Sequence, residues 1–371
     1  MNNSTEINET IFLEEDMYLG GKLWLALNLF LTASTLAGNI LTMAAIIYTK
    51  KLSGLVANQF IFSLAVSDLL VGLSIPYHMA FYWVNSFGNS QVKCLLRFAL
   101  ISFAMASSIL NLLCIATDRY LAIVYPFLYT RYMTRRTSLV MIVFVWSLSF
   151  SIILTIIFWN DWQEGVSCEI IKVLPEGFIN FFVCPLFATV WVILLFLYSR
   201  ICREATGHAK RIRSTNSVPN VRDSKSFQVM IIILGCFSVC WLPFFVVLTY
   251  ARTTGLIGKG IYEISFTLAV ANSGMNPLIY AWKNANFRKA FSCLLRCQRP
   301  NVCSAAFVTN HVPSKKNSMN GICNGKEEDL VRSEFDIELQ SSKLNGICDQ
   351  LEQCQGSVPT QVTNVNASPR N

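Results

Sequence analysis

Seven long apolar stretches follow one another along most of this chain, each broken by only a few polar residues. They run over Leu23–Tyr48, Asn58–Trp83, Leu95–Val124, Leu139–Trp159, Phe178–Ile201, Phe227–Tyr250 and Ile261–Trp282. About 20 apolar residues in helical conformation cross the hydrocarbon core of a bilayer, and each stretch meets that length. Backbone groups in lipid have no water to bond, so these spans are predicted as helices. Beyond the last span, Phe287, Ala290, Phe291, Leu294 and Leu295 recur at helical spacing with Lys283, Arg288, Lys289 and Arg296 between them. That pattern predicts a short amphipathic helix over 284–297, lying on the membrane surface. Residues 298–371 are polar and rich in Ser, Asn and Gly, a composition that predicts disorder.

Composition agrees with a membrane protein. The chain is 53% hydrophobic and only 14% charged, where soluble domains carry roughly 25% charged residues. Charge also orients it. Lys50 and Lys51 follow the first span, Arg131, Arg135 and Arg136 the third, a basic run from Arg200 to Lys225 the fifth, and Lys283, Arg288 and Lys289 the seventh. The opposite loops hold scattered bases, so the N-terminus is expected outside and the C-terminus in the cytoplasm. The net charge of +8 reflects this asymmetry and suits an anionic inner leaflet; it does not call for nucleic acid. No basic, apolar and small-residue order marks a cleaved signal peptide, and the first span is expected to act as the anchor.

The resulting fold class is an all-α membrane protein: an extracellular segment over 1–22, a seven-transmembrane helix bundle over 23–283, the surface helix over 284–297 and a disordered cytoplasmic tail over 298–371. Acceptor triplets at Asn2, Asn3 and Asn8 predict glycosylation of the outer segment, while a further triplet at Asn366 falls in the tail. Of thirteen cysteines, five lie within spans and six in the C-terminal region, which leaves Cys94 and Cys168 outside as one natural disulfide pair. Cys293 and Cys297, near the end of the surface helix, are candidate palmitoylation sites, with bare thiols as the alternative.

Candidate chemistry sits where polar residues interrupt the spans. Asp118-Arg119-Tyr120 ends the third span, and an arginine that deep is costly unless paired, sunk in a bundle or facing water. Asp118 can hold its guanidinium, although the triplet alone also fits a snorkelling arginine. Asp68 lies mid-span, where an ionisable group is a functional candidate, the alternative being a structural carboxylate. Helical spacing back from Arg119 puts Leu112, Ser108, Met105 or Ala104, and Ile101 on one face, with Ser108 at about the depth of Asp68. Pro76, Pro243 and Pro277 interrupt spans two, six and seven and predict bends. His78, beyond Pro76, is expected to be a satisfied polar group rather than a ligand contact.

With Gly38-Asn39, Leu64-Ala65 with Asp68, Cys94 with Cys168, Asp118-Arg119-Tyr120, Trp146, Cys240-Trp241-Leu242-Pro243 and Asn276-Pro277 with Tyr280 in this order, the chain resembles the rhodopsin-like (class A) G-protein-coupled receptors over about residues 23–297. The resemblance implies a plasma-membrane receptor, not an enzyme, in which an extracellular small ligand drives helix six outward about Pro243. Partners implied are heterotrimeric G proteins, arrestin and receptor kinases acting through the tail, and membrane lipids. Asp68, Ser108, Trp241, Asn272, Ser273 and Asn276 match the cluster that holds an allosteric sodium ion in such receptors, with no other cofactor. Arg119 would pair with Asp118, and with Asp223 on helix six, then meet the G protein with Tyr120, Tyr198 and Tyr280 nearby.

Ile101, Met105, Trp241, Phe244, Phe245 and Leu248 match pocket positions of that family. Ile101 stands where aminergic receptors have an acidic counter-ion, so a small, largely apolar ligand is expected, with an aminergic-like receptor lacking that acid as the alternative. Trp159-Asn160 and Ala271-Asn272-Ser273 look like adenosine-type receptors, yet Leu248 and Ile170 replace their adenine-binding asparagine and stacking phenylalanine. On helix five, alignment on Tyr198 puts Val190 where most of the family has proline, so the usual proline bulge is expected to be absent. A seven-helix transporter is the alternative from another class, but internal repeats and broken helices at matching positions are not evident.

Overall fold

The computed structural model describes residues 2–84, 87–214, 221–255 and 258–298; side chains of residues 2–19, 205–231 and 259 lie outside that description. The tail, including Asn366 and the repeated Asn-Gly-Ile-Cys at 320–323 and 345–348, falls outside the described residues. Seven long helices make up most of the described residues: α1 (Asn2–Tyr48), α2 (Val56–Trp83), α3 (Gln91–Val124), α4 (Arg135–Phe158), α5 (Cys184–Ser214), α6 (Val221–Thr254) and α7 (Lys259–Lys283). A short helix, α8 (Ala285–Leu295), follows the seventh. Helix α1 begins at Asn2, so the backbone of the polar segment expected as a tail is helical.

Six of these helices are long and apolar enough by themselves to cross a membrane. The seventh is long enough at about 37 Å, but Asn272, Ser273 and Asn276 lower its hydropathy. All three are buried in the bundle, so α7 spends its polarity inward. Helix α3 is the most enclosed of the six and packs against α2, α4 and α5, while α7 closes the ring between α6 and α1. Helix α4 is the least enclosed, with Val140, Phe144 and Phe158 outward, as a lipid-facing helix should be.

Side-chain hydrogen bonds lock neighbouring helices together. Trp146 Nε1 donates to Ser63 Oγ at 2.9 Å, joining α4 to α2. Trp24 Nε1 reaches Thr267 Oγ1 at 2.9 Å between α1 and α7, and Trp191 Nε1 reaches Ser238 Oγ at 3.1 Å between α5 and α6. Small residues set the closest approach: a Cβ on Gly38 would lie 2.9 Å from Pro277 Cγ, so the α7 proline needs a glycine opposite it on α1.

Pro76, Pro243 and Pro277 lie inside helices that continue past them. Helix α5 is continuous through Val190, as expected, but a π-helical turn over Ile179–Val183 precedes it. Pro185 offers no backbone N–H to the turn before it, and the ladder is rewound immediately upstream. At the inner end, Asn284 Oδ1 accepts from the amides of Asn286 and Phe287 and caps α8. The apolar face of α8 buries Phe287, Ala290 and Phe291 against Ala45, Ile46 and Tyr280.

Candidate functional site

Helix α3 connects three features: an outer cavity, a buried carboxylate at mid-depth and a charged pair at the inner end. The cavity, about 120 Å³ in volume, lies between α3, α5, α6 and α7. Ile101, Met105, Trp241, Phe244, Phe245 and Leu248 all line it. They converge because Ile101 and Met105 are one turn apart on α3, while Trp241, Phe244, Phe245 and Leu248 follow helical spacing on α6. Phe187 of α5 stacks on Phe245 at 3.7 Å between ring centroids, which joins α5 and α6 beside the cavity. Trp241 is buried, and its Nε1 has no hydrogen-bond partner among the described residues.

The loop between α4 and α5 covers the outer end. Cys94 and Cys168 form a disulfide with a Cα separation of 5.9 Å, which fastens that loop to α3. Ile170 and Leu174 then reach the cavity wall. Arg252 at the outer end of α6 donates through Nη1 to Ile171 O at 2.8 Å and through Nη2 to Leu174 O, so helix six also grips the loop.

Sequence reasoning missed part of this wall. His78 is satisfied, as expected, through contacts with Arg97 at 3.1 and 3.2 Å, but it also lines the cavity. Phe178, Tyr262 and Phe266 in the wall, and Arg97 behind His78, were not anticipated either. A signal existed for Arg97, which lies four residues before Ile101 and therefore on the same helical face. Nothing local marked Phe178, which reaches the wall only after the π-helical turn sets the start of α5.

Below the cavity, Asp68 is fully buried. Its Oδ1 accepts from Ser108 Oγ at 2.7 Å and its Oδ2 from Asn276 Nδ2 at 2.8 Å; Ser273 is a third hydrogen-bonding neighbour. No lysine or arginine among the described residues pairs with it. Asn272 Nδ2 is buried nearby in sequence without a partner, and Asn39 donates to Ser273 O at 3.2 Å from α1. The carboxylate, two hydroxyls and amide groups make an oxygen-rich donor set around an uncompensated buried acid. That set fits a hard monovalent cation.

At the inner end, Arg119 donates to Asp118 Oδ2 from Nε at 2.8 Å and from Nη2 at 2.5 Å. Asp118 is buried and Arg119 partly exposed. A third residue completes the group: Tyr129, on the short helix Pro126–Tyr132, donates to Asp118 Oδ1 at 3.0 Å. Burial, then the Asp118 carboxylate, pushes the Tyr129 phenol above its usual pKa, which keeps it a donor. Tyr198 and Tyr280 are buried, and Tyr280 stacks on Phe287 of α8. Asp223 lies on α6, but its side chain is outside the described residues, as are those of Asn2, Asn3 and Asn8. Cys297 is exposed, whereas Cys293 is buried.

Residues 38–280 match the family described as 7 transmembrane receptor (rhodopsin family). The chain belongs to that family. It is therefore a multi-pass membrane receptor and not an enzyme, and the transporter alternative falls. Among similar proteins, the Histamine H2 receptor of Canis lupus familiaris is 30% identical over 326 residues, covering 82% of this chain and 87% of that one. The Histamine H2 receptor of Rattus norvegicus is 32% identical over 285 residues, covering 71% and 76%. The D(1C) dopamine receptor of Xenopus laevis is 32% identical over 373 residues, covering 86% and 76%. These names carry the likeness toward amine receptors and not toward the adenosine type.

Proposed function

We propose that this rhodopsin-family receptor sits in the plasma membrane with its N-terminus outside, binds a small, largely apolar extracellular ligand in the cavity, and activates heterotrimeric G proteins on the inner side. The observation that carries this reading is one helix serving both ends: α6 lines the cavity through Trp241, Phe244, Phe245 and Leu248, carries Pro243 among those residues, and continues below Trp241 as its cytoplasmic half. A ligand that fits the cavity better when α6 is displaced shifts a two-state equilibrium, and only that difference in affinity does work. In the resting state Asp118 holds Arg119, with Asp223 as a further candidate partner. Outward motion of α6 about Pro243 frees Arg119 to meet the G protein beside Tyr120, Tyr198 and Tyr280, with Asn276 and Pro277 shaping the α7 side.

Asp68, Ser108, Asn272, Ser273 and Asn276 would hold a sodium ion beneath Trp241 and favour the resting arrangement. Bound there, sodium would supply the positive charge that Asp68 lacks. On the inner face, α8 lies along the lipid headgroups, with acylation at Cys297 fitting its exposure better than at Cys293. The tail, once phosphorylated by receptor kinases, recruits arrestin.

A second reading has its own support. The relatives are named for histamine and dopamine, and this favours an amine receptor that dispenses with the usual acid. Against it stands Ile101, which leaves the cavity without a carboxylate. A second-messenger screen of purines, amines, lipids and short peptides, reading cAMP and calcium in parallel, separates the two. An apolar uncharged or acidic activator supports the first reading, and activation confined to protonated amines supports the second.

A further inference from the structure

The cavity wall carries no Asp or Glu, and the ionised side chain behind its outer end is a cation. Arg97 lies one turn outward of Ile101 on α3 and is only 6% exposed. Its Nη1 donates to Cys168 O at 3.1 Å, and its Nε and Nη2 lie 3.2 and 3.1 Å from the two ring nitrogens of His78. The guanidinium carbon sits 4.7, 5.1 and 5.3 Å from the ring centroids of Phe81, Tyr82 and Phe98. No carboxylate pairs with it among the described residues, an unusual state for so buried an arginine. Glu169, the acid that follows Cys168, is engaged by Lys172 at 3.1 Å, and neither it nor Glu263 lines the cavity.

The remaining polar groups of the wall also favour an acceptor. A guanidinium has five N–H groups and accepts nothing, so a neutral His78 can accept through only one ring nitrogen. Its other nitrogen carries the N–H, a donor at the wall itself. Trp241 Nε1 is a further buried N–H without a partner, at the wall itself. Arg252, whose guanidinium holds Ile171 and Leu174 at the outer end, has a buried Nε without a partner as well. Donors and positive charge therefore lie at the outer end and behind the wall of a largely apolar space, beside the hydroxyls of Ser102 and Tyr262. A protonated amine placed there would meet like charge with no counter-ion; a carboxylate would meet both charge and donors.

We propose that the ligand is a small apolar carboxylic acid, its carboxylate seated at the outer end against His78 with the Arg97 guanidinium directly behind, and its body lying along Met105, Phe244 and Leu248. This rests on the reading of the cavity as the ligand site. Arg97 is then a specificity-determining residue, and the amine preference of the named relatives does not transfer.

A matched set of probes tests it: 3-phenylpropanoate, 3-phenylpropanamide and 3-phenylpropylamine, applied to the purified full chain in lipid nanodiscs. Melting temperature reports binding, and nucleotide exchange on added G protein reports coupling, separately. The acid should raise the melting temperature most, the amide less and the amine not at all. Arg97→Gln should raise the acid's half-saturating concentration at least about tenfold, the scale of a lost charge-assisted bond, and leave the amide's unchanged. Ile101→Asp, which leaves the Arg97 tether to Cys168 intact, should reverse the order of acid and amine. An amine that stabilises as well as the acid, an equal loss of acid and amide in Arg97→Gln, or no response to any probe overturns the proposal. If Arg97→Gln does not fold, the wild-type head-group order and Ile101→Asp decide it. Stabilisation by the acid without exchange would overturn G-protein coupling and leave the ligand assignment standing.

Discussion

Asp68 is the buried acid with no cationic partner among the described residues, since Asp118 has Arg119 and Asp68 has only neutral donors. If sodium supplies the missing charge, Asp68→Asn removes the reason for the ion to bind. Agonist affinity in that variant should no longer change when sodium replaces potassium; an undiminished sodium effect would remove the ion from the account. Gly38 makes a different kind of demand. A side chain there meets the Pro277 ring, a rigid obstacle rather than a flexible tip. Gly38→Leu should destabilise the receptor by about 1–3 kcal/mol, the usual range for overpacking, visible as a lower melting temperature in detergent. Both residues were legible in the sequence because a carboxylate and a Gly-Asn pair stand out in apolar runs. The neighbours that give them meaning, Ser108 and Pro277, lie 40 and more residues away and only the fold brings them close.

Two connecting elements carry contacts that composition could not announce. The loop after α4 is fastened to α3 by Cys94–Cys168 and to α6 by Arg252. Cysteine position alone identified the first fastening; the second depends on backbone carbonyls, which have no sequence signature. Cys94→Ser and Cys168→Ser should impair surface expression or ligand binding equally, and the double variant should be no worse than either, because one bond is lost in all three. A normal Cys168→Ser receptor would contradict this. The short helix Pro126–Tyr132 is the second case. Tyr129 bonds the Asp118 oxygen adjacent to the one that holds Arg119, and its raised pKa keeps the phenol protonated across neutral and mildly alkaline pH. Tyr129→Phe removes that bond from the resting state. Basal nucleotide exchange should rise about fivefold for a loss of ~1 kcal/mol; unchanged basal exchange would show that the bond survives activation.

The span pattern, basic loops and one motif per helix made the bundle and its family readable, because lipid penalises each polar residue that has no task. Helix α7 tested that logic from the other side: its span was legible although its inward amides keep it below the apolarity of the other six. What stayed hidden was tertiary. His78 looked like a bystander until α3, α7 and the outer loop closed around it, with Phe266 stacked on its ring at 4.4 Å. In the proposed mechanism the molecule as a whole works as a lever, in which α6 touches a ligand on both sides of Pro243 and its cytoplasmic half reaches the G-protein face. Purified full chain in nanodiscs, mixed with purified heterotrimeric G proteins, should accelerate GTP uptake when an activator from the second-messenger screen is added. Arg119→Ala should bind that activator and lose the acceleration. Absence of exchange, basal and activator-driven, across the G-protein families would contradict the account.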